Sequence, residues 1–148
     1  MPDHSAGNWL AIDYGKRTIG LAVGHPLTGS ARPLAPVRNT SEAHLEASLL
    51  EQIRQWRPDA IVIGLPLDSA GDDTVMSRHI RRFANWLSER VPDIRICLHD
   101  ERLSSEHAAR DFAGRRQAGR ARRRDAAKLD SMAAAKILES WMSQQGHD

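Results

Sequence analysis

At three places in this 148-residue chain carboxylates stand where they are costly. Asp13 ends the apolar run Leu10-Ala11-Ile12 and precedes Tyr14-Gly15. Asp is depleted from strands and almost never fully buried unpaired. At that position it either caps a turn or answers a cation at a strand end, where α/β ligand sites gather. A second apolar run, Ile94 to Leu98, leads into His99-Asp100-Glu101-Arg102. The third place is Asp130, followed at i+3, i+4, i+7, i+8 and i+11 by Ala133, Ala134, Ile137, Leu138 and Trp141, so it shares the apolar stripe of a helix. Acids converging from three elements repel one another and raise each other's pKa unless cations intervene. Carboxylate oxygens without His or Cys clusters suit the hard ions Mg²⁺ or Mn²⁺. Two such ions about 4 Å apart activate a water and stabilise the leaving oxygen in phosphodiester cleavage. The competing arrangement is structural: Glu101 pairs with Arg102 or another Arg, and Asp130 caps or bridges a neighbour.

The elements that must position these acids follow from pattern and punctuation. Trp9 to Asp13 and Thr18 to Val23 read as strands joined by a turn short enough for a hairpin, hence antiparallel. Ser30 to Val37 reads as a third strand, demoted to an edge by Pro33 and Pro36. The cluster Asn39-Thr40-Ser41, with Glu42 three residues after Asn39, opens a helix whose Leu45, Leu49, Ile53 and Trp56 recur at helical spacing and which ends at Arg57, before Pro58. Asp59 to Gly64 is nearly all apolar and β-branched, the pattern of a strand covered on both faces and paired in parallel. A turn-rich loop, Leu65 to Asp73, precedes a second helix marked by Met76, Ile80, Phe83 and Leu87 and stopped by Pro92. After the strand Ile94 to Leu98, Ser104 and Ser105 are positioned to cap a short helix ending near Gly114, and a last helix runs from about Asp125 to Gln145. Strands interleaved with helices predict one α/β domain, a mixed central sheet with helices on both faces.

Composition narrows the partners. Between Arg115 and Lys128 the chain carries +6 against a total of +2, so the remainder carries −4. Arg115, Arg116, Arg120, Arg122, Arg123 and Arg124, interspersed with glycine, form either a flexible basic loop that contacts phosphates without reading bases or a merely solvated one. The single Cys, Cys97, excludes an internal disulfide and, within its apolar run, reads as a buried thiol suited to a reducing, cytoplasmic compartment. No basic region with an apolar core opens the chain, and no apolar stretch approaches the roughly 20 residues of a membrane span. Residues 1–8 are small and polar and read as a loose terminus. Trp9, Trp56, Trp86 and Trp141 lie on apolar stripes or strands, which points to core packing, and His99 suits either a structural role or the orientation of a water.

Four motifs in order, Ile12-Asp13-Tyr14-Gly15 with Ile19-Gly20, Ile63-Gly64-Leu65-Pro66-Leu67, Asp100-Glu101-Arg102-Leu103-Ser104 and Leu129-Asp130-Ser131-Met132-Ala133-Ala134, resemble those of the YqgF/RuvX family. They span nearly the whole chain. That family is described as Holliday-junction-resolvase-like and as nucleases maturing the pre-16S rRNA end. The resemblance implies a ribonuclease H-like fold with a five-stranded mixed sheet, and Asp13, Glu101 and Asp130 as the metal-binding, catalytic acids. It implies an endonuclease using Mg²⁺ or Mn²⁺ on pre-rRNA, with branched DNA or non-catalytic nucleic-acid binding as alternatives. Arg17 falls near the family's basic residue in the first turn and Arg102 in its acid-Arg motif, so both join the Arg-rich segment as expected nucleic-acid contacts. The ribosome is a further expected partner, and the expected state is a monomer or weak homodimer. Two positions depart from the pattern. Asp68 stands where the family usually has Asn, and Ala127 stands where related resolvases carry a further acid, which implies a weaker second metal site. Asp-x-Gly-x-x-x-x-Gly also resembles the phosphate loop of actin-like ATPases, but those need a second comparable domain.

Overall fold

Strand pairing organises the molecule around the hairpin. The computed structural model describes residues 7–103 and 126–145, with side chains in the latter segment from Ser131 onward. Strand β1 (Trp9–Asp13) pairs antiparallel with β2 (Thr18–His25), which sets Asp13 opposite Gly20. Gly15 is required in the connecting turn, because a Cβ there would collide with the carbonyl oxygen of Thr18. Strand β3 (Ser30–Arg38) pairs antiparallel with β2 at the sheet edge, where Pro33 and Pro36 remove no central ladder bonds. Strand β4 (Ala60–Leu65) is buried along its whole length and lies parallel to β1 on one side and to β5 (Arg95–Asp100) on the other. The order is β3-β2-β1-β4-β5, with β2 alone running against the rest.

Helices cover both faces. On one side α1 (Glu42–Trp56) and α2 (Val75–Arg90) pack Leu49, Ile80 and Leu87 against Leu10, Ile12, Ile61 and Ile63. On the other, α3 (Ala126–Gln145) lays Ala134, Leu138 and Trp141 on Ala11, Ala22 and Val62. The small Ala11 and Ala22 let that helix sit close to the sheet. Burial of a residue such as Leu138 stabilises the contact by about 1.5–3 kcal/mol.

Several details differ from the sequence expectation. The first helix is capped by Ser41, whose Oγ accepts the His44 N–H at 3.1 Å, and not by Asn39. Asn39 braces the β1–β2 turn instead: its backbone N–H donates to the Arg17 carbonyl at 2.8 Å and its Nδ2 to the Gly15 carbonyl at 3.0 Å. Strand β5 continues to Asp100, and residues 101–103 are already helical. Asp100 Oδ1 accepts the Arg102 N–H at 2.9 Å, so Asp100 caps that turn. Ser104 and Ser105, expected as the cap, lie outside the described residues. The buried face of α3 includes Ser131 and Ala135, while Ala133 is only half-buried. Cys97 is likewise half-buried, because β5 is an edge strand. Of the expected loose terminus, residues 1–6 lie outside the described residues, but Asn8 is fastened: its carbonyl accepts the Asp59 N–H at 2.9 Å and its side chain donates to the Trp56 carbonyl at 3.2 Å.

Candidate active site

Strand pleating, and the helical turn that follows β5, decide which acids meet. In β1, Ala11 packs towards α3, so Asp13, two residues on, shares that face. In β4 the same alternation sends Val62 and Gly64 to the α3 side, and in β5 it sends Cys97 and His99 there. His99 reports the face directly, since its Nε2 lies 3.0 Å from Ser140 Oγ on α3. Glu101, in the helical turn just past β5, reaches the same side. A Cβ added to Gly64 would lie 2.7 Å from Glu101 Oε2, 3.0 Å from Glu101 Cγ and 2.6 Å from Ile137 Cδ1. The Glu101 side chain therefore folds across the bare backbone of Gly64, beneath α3. Ile63 pairs with Ile12, so the ladder carries Gly64 to the level of Asp13. Asp13 and Glu101 thus converge on one face, at the carboxyl ends of β1 and β4.

The neighbouring acid goes the other way. Asp100 lies on the opposite face, where Arg102 grips it with Nη2 2.7 Å from Oδ2 and Nε about 3.0 Å from both oxygens. Hydrogen bonding to Arg102 holds the Asp100 carboxyl below the usual carboxylate range. Arg102 also donates to the Ser69 carbonyl at 3.4 Å, which fastens the loop after β4. Glu101 does not take part in this pairing and makes no hydrogen bond or ion pair with a described residue. Burial, helped by the Asp100 charge, pushes its carboxyl above the ordinary value. A half-buried carboxylate with that bias needs a cation or a proton.

The remaining sequence candidates fall into place unequally. His99 is buried, its pKa lowered by desolvation, and it ties β5 to α3. Asp68 folds its own loop: Oδ1 accepts the N–H groups of Ala70 and Asp72, each at 2.9 Å. Arg17 is exposed on the β1–β2 turn that Asn39 braces. The segment Arg115 to Arg124 lies outside the described residues, as does the Asp130 side chain, although residue 130 belongs to α3. Its neighbour Ser131, part of a motif but not singled out from sequence, is fully buried and its Oγ accepts the Leu21 N–H at 3.3 Å. Leu21 pairs with Ile12 and Gly20 with Asp13, so this bond sets the start of α3 beside the Asp13 end of β1. The signal for Ser131 was available: a hydroxyl inside an Ala-rich helical stripe needs a buried partner.

Among the described residues no three His, Cys, Asp or Glu side chains approach closely enough to hold a metal ion. The described pair, Asp13 and Glu101, nevertheless has the chemistry a hard divalent ion requires: oxygen donors, one of them desolvated without a described cation, over a cradle that any Cβ would fill.

This sheet order, its lone antiparallel β2 and its acids at the carboxyl ends of β1 and β5 define a ribonuclease H-like domain. Solved structures agree on the fold. Thermus thermophilus RuvC in complex with a Holliday junction substrate superimposes with a TM-score of 0.58 at 17% identity, covering 95% of this chain and 96% of that one. Fowlpox virus resolvase in complex with Holliday junction DNA gives 0.57 at 12% identity, covering 93% and 98%. The chain belongs to the RuvX family, described as Holliday junction resolvase, whose family model matches residues 7–144. Two relatives are provisionally named pre-16S rRNA nuclease. One, from Edwardsiella ictaluri, is 41% identical over 137 residues, covering 92% of this chain and 94% of that protein. The other, from Escherichia coli O157:H7, is 38% identical over 140 residues, covering 94% and 98%.

Proposed function

We propose that this chain is a single-domain, divalent-metal-dependent endonuclease that hydrolyses phosphodiester bonds in structured nucleic acid, with the pre-16S rRNA end as its substrate. The observation that carries the reading is the convergence of Asp13 and Glu101 over Gly64, with Asp100 withdrawn by Arg102. Asp13, Glu101 and Asp130 would hold the ion, Mg²⁺ or Mn²⁺, which when bound activates a water and neutralises the leaving oxygen. The protein's own work is placement. Gly64 makes room for Glu101, Ser131 sets the start of α3, and Arg102 keeps Asp100 off the site while leaving Glu101 without a competing cation among the described residues. Arg17 and the Arg-rich segment 115–124 would hold phosphates. Their contribution is electrostatic and weakens with salt. The family description supports a second reading, cleavage of branched DNA, on the same chemistry. Both fit a protein acting on nucleic acid or on the ribosome in the cytoplasm as a monomer or weak homodimer. Among the described residues no helix is long and apolar enough to cross a membrane.

The test is cleavage of a precursor 16S rRNA end and of a four-way DNA junction in Mg²⁺ or Mn²⁺. The expected result is metal-dependent cutting of the RNA, abolished by Asp13→Asn. Full activity in that variant overturns the site. Salt-dependent binding that chelation does not alter, with no cleavage of either substrate, would make the chain a binding factor instead.

A further inference from the structure

Tyr14 follows Asp13 directly, and the pleat turns it to the opposite face of the sheet, where it packs against the α1/α2 core. There it lines a pocket of about 340 Å³ with Asn39, His79, Arg82, Phe83 and Trp86. Ligand pockets begin at about 300 Å³. The Tyr14 ring rests 4.8 Å from the Phe83 ring and meets His79 edge-on at 6.5 Å, so its orientation is set by packing. It is half-buried, and its hydroxyl makes no hydrogen bond with a described residue. Arg82 is exposed and donates to His79 Nδ1 at 2.6 Å. Neither Arg82 nor Arg17, on the adjoining β1–β2 turn, makes an ion pair with a described residue. Asn39 joins the wall of the pocket to the turn that holds Arg17, through its bonds to the Arg17 and Gly15 carbonyls. The acid in the pocket, Glu42, is engaged by Trp86 Nε1 at 3.3 Å and by Arg90 at 4.0 Å. An oriented aromatic ring with open polar groups and unneutralised guanidinium groups is the equipment for a base and its phosphate.

We infer that this pocket takes one unpaired nucleotide of the substrate strand, next to the bond presented at Asp13 and Glu101. The inference rests on the nuclease reading, because only then does a strand cross the end of β1. The base stacks on Tyr14, and Arg82, with Arg17 on the neighbouring turn, meets the phosphates. The site therefore selects cleavage points beside single-stranded nucleic acid over continuous duplex, since a paired base does not leave its stack without cost.

Fluorescence anisotropy in EDTA, where metal-dependent cleavage is absent, compares a labelled RNA duplex with blunt ends against the same duplex with a short single-stranded tail. The tail is expected to tighten binding about tenfold, the effect of one aromatic stack. Tyr14→Leu and, separately, Arg82→Gln are each expected to remove most of that gain, read as the ratio of tailed to blunt affinity so that a general loss of charge cancels. Arg82→Gln lies on the exposed face of α2 and tests the pocket even where Tyr14→Leu does not fold. An equal affinity of the wild-type protein for both duplexes overturns the inference and leaves the nuclease reading intact. So does a tail preference that survives in Arg82→Gln. Failure of the wild-type protein to bind either duplex overturns both.

Discussion

Replacing Gly64 by Ala separates the placement of Glu101 from its mere presence. The new methyl would lie 2.7 Å from Glu101 Oε2, so that oxygen must retreat by about 0.7 Å to reach the 3.4 Å of ordinary contact. Ile137 Cδ1, at 2.6 Å, must retreat by about 0.8 Å. Both clashing atoms are the far ends of flexible side chains, so the fold survives. Overpacking of this kind costs about 1–3 kcal/mol, which for a domain of this size lowers Tm by roughly 3–9 °C. Activity suffers more, because misplacement approaching 1 Å costs on the order of tenfold to a hundredfold in rate. The assay pairs thermal melting with initial cleavage rates, and a second substitution sharpens it. Ile137→Val deletes Cδ1 and relieves one clash. The double variant is expected to recover most of the Tm while its cleavage stays low, since the methyl still displaces Glu101. Recovery of both together would show that Gly64 matters only to packing and would refute a catalytic role for the Glu101 cradle.

Two further outcomes follow from the same geometry. The folded-state pKa of Glu101 is raised by desolvation, so its contribution favours the fold below the ordinary value of 4.5 and is lost as pH rises through the folded value. Metal-free Glu101→Gln is therefore expected to melt above the wild-type protein at neutral pH, with the difference vanishing below about pH 4, and Mn²⁺ is expected to raise the wild-type Tm only; a lower Tm for the variant at neutral pH contradicts this. Ser131→Ala leaves the buried Leu21 N–H without its acceptor, a loss of about 1–3 kcal/mol, to be read as a lower Tm and faster hydrogen exchange at the Leu21 amide, where unchanged exchange would count against the bond.

The elements were legible because their signals are local. The β-branched run before Gly64, the helical spacing of Leu45, Leu49 and Ile53, and the two prolines of β3 each report on neighbours within a few residues, and the structure has the corresponding buried strand, buried helix face and edge strand. Even the edge position of β3 was readable, since Pro cannot donate to a central ladder. Caps were less legible. Asn39, Thr40 and Ser41 are all good capping residues. The choice of Ser41 depended on Asn39 being claimed by the β1–β2 turn, a contact 24 residues away in sequence.

Asp13 illustrates the division most clearly. Its own stretch marked it as an acid at the end of an apolar strand and left a turn cap and a ligand site equally open, and Asp130 on its apolar stripe, the second acid-ended strand and the Arg-rich segment then tilted the reading towards a site. The sequence also offered Asp100 and Glu101 side by side, and only resemblance to a family chose between them. The tertiary structure supplies the physical ground for the choice we propose. The end of β5 and the helical turn after it send the two residues to opposite faces, Arg102 neutralises one, and the missing side chain of Gly64 admits the other on the Asp13 face. Chain composition dictates which groups are present and which local conformations they favour. Which of them share a face, lose their solvent or find a partner depends on strand register and on residues distant in sequence, such as Leu21 and Ser131.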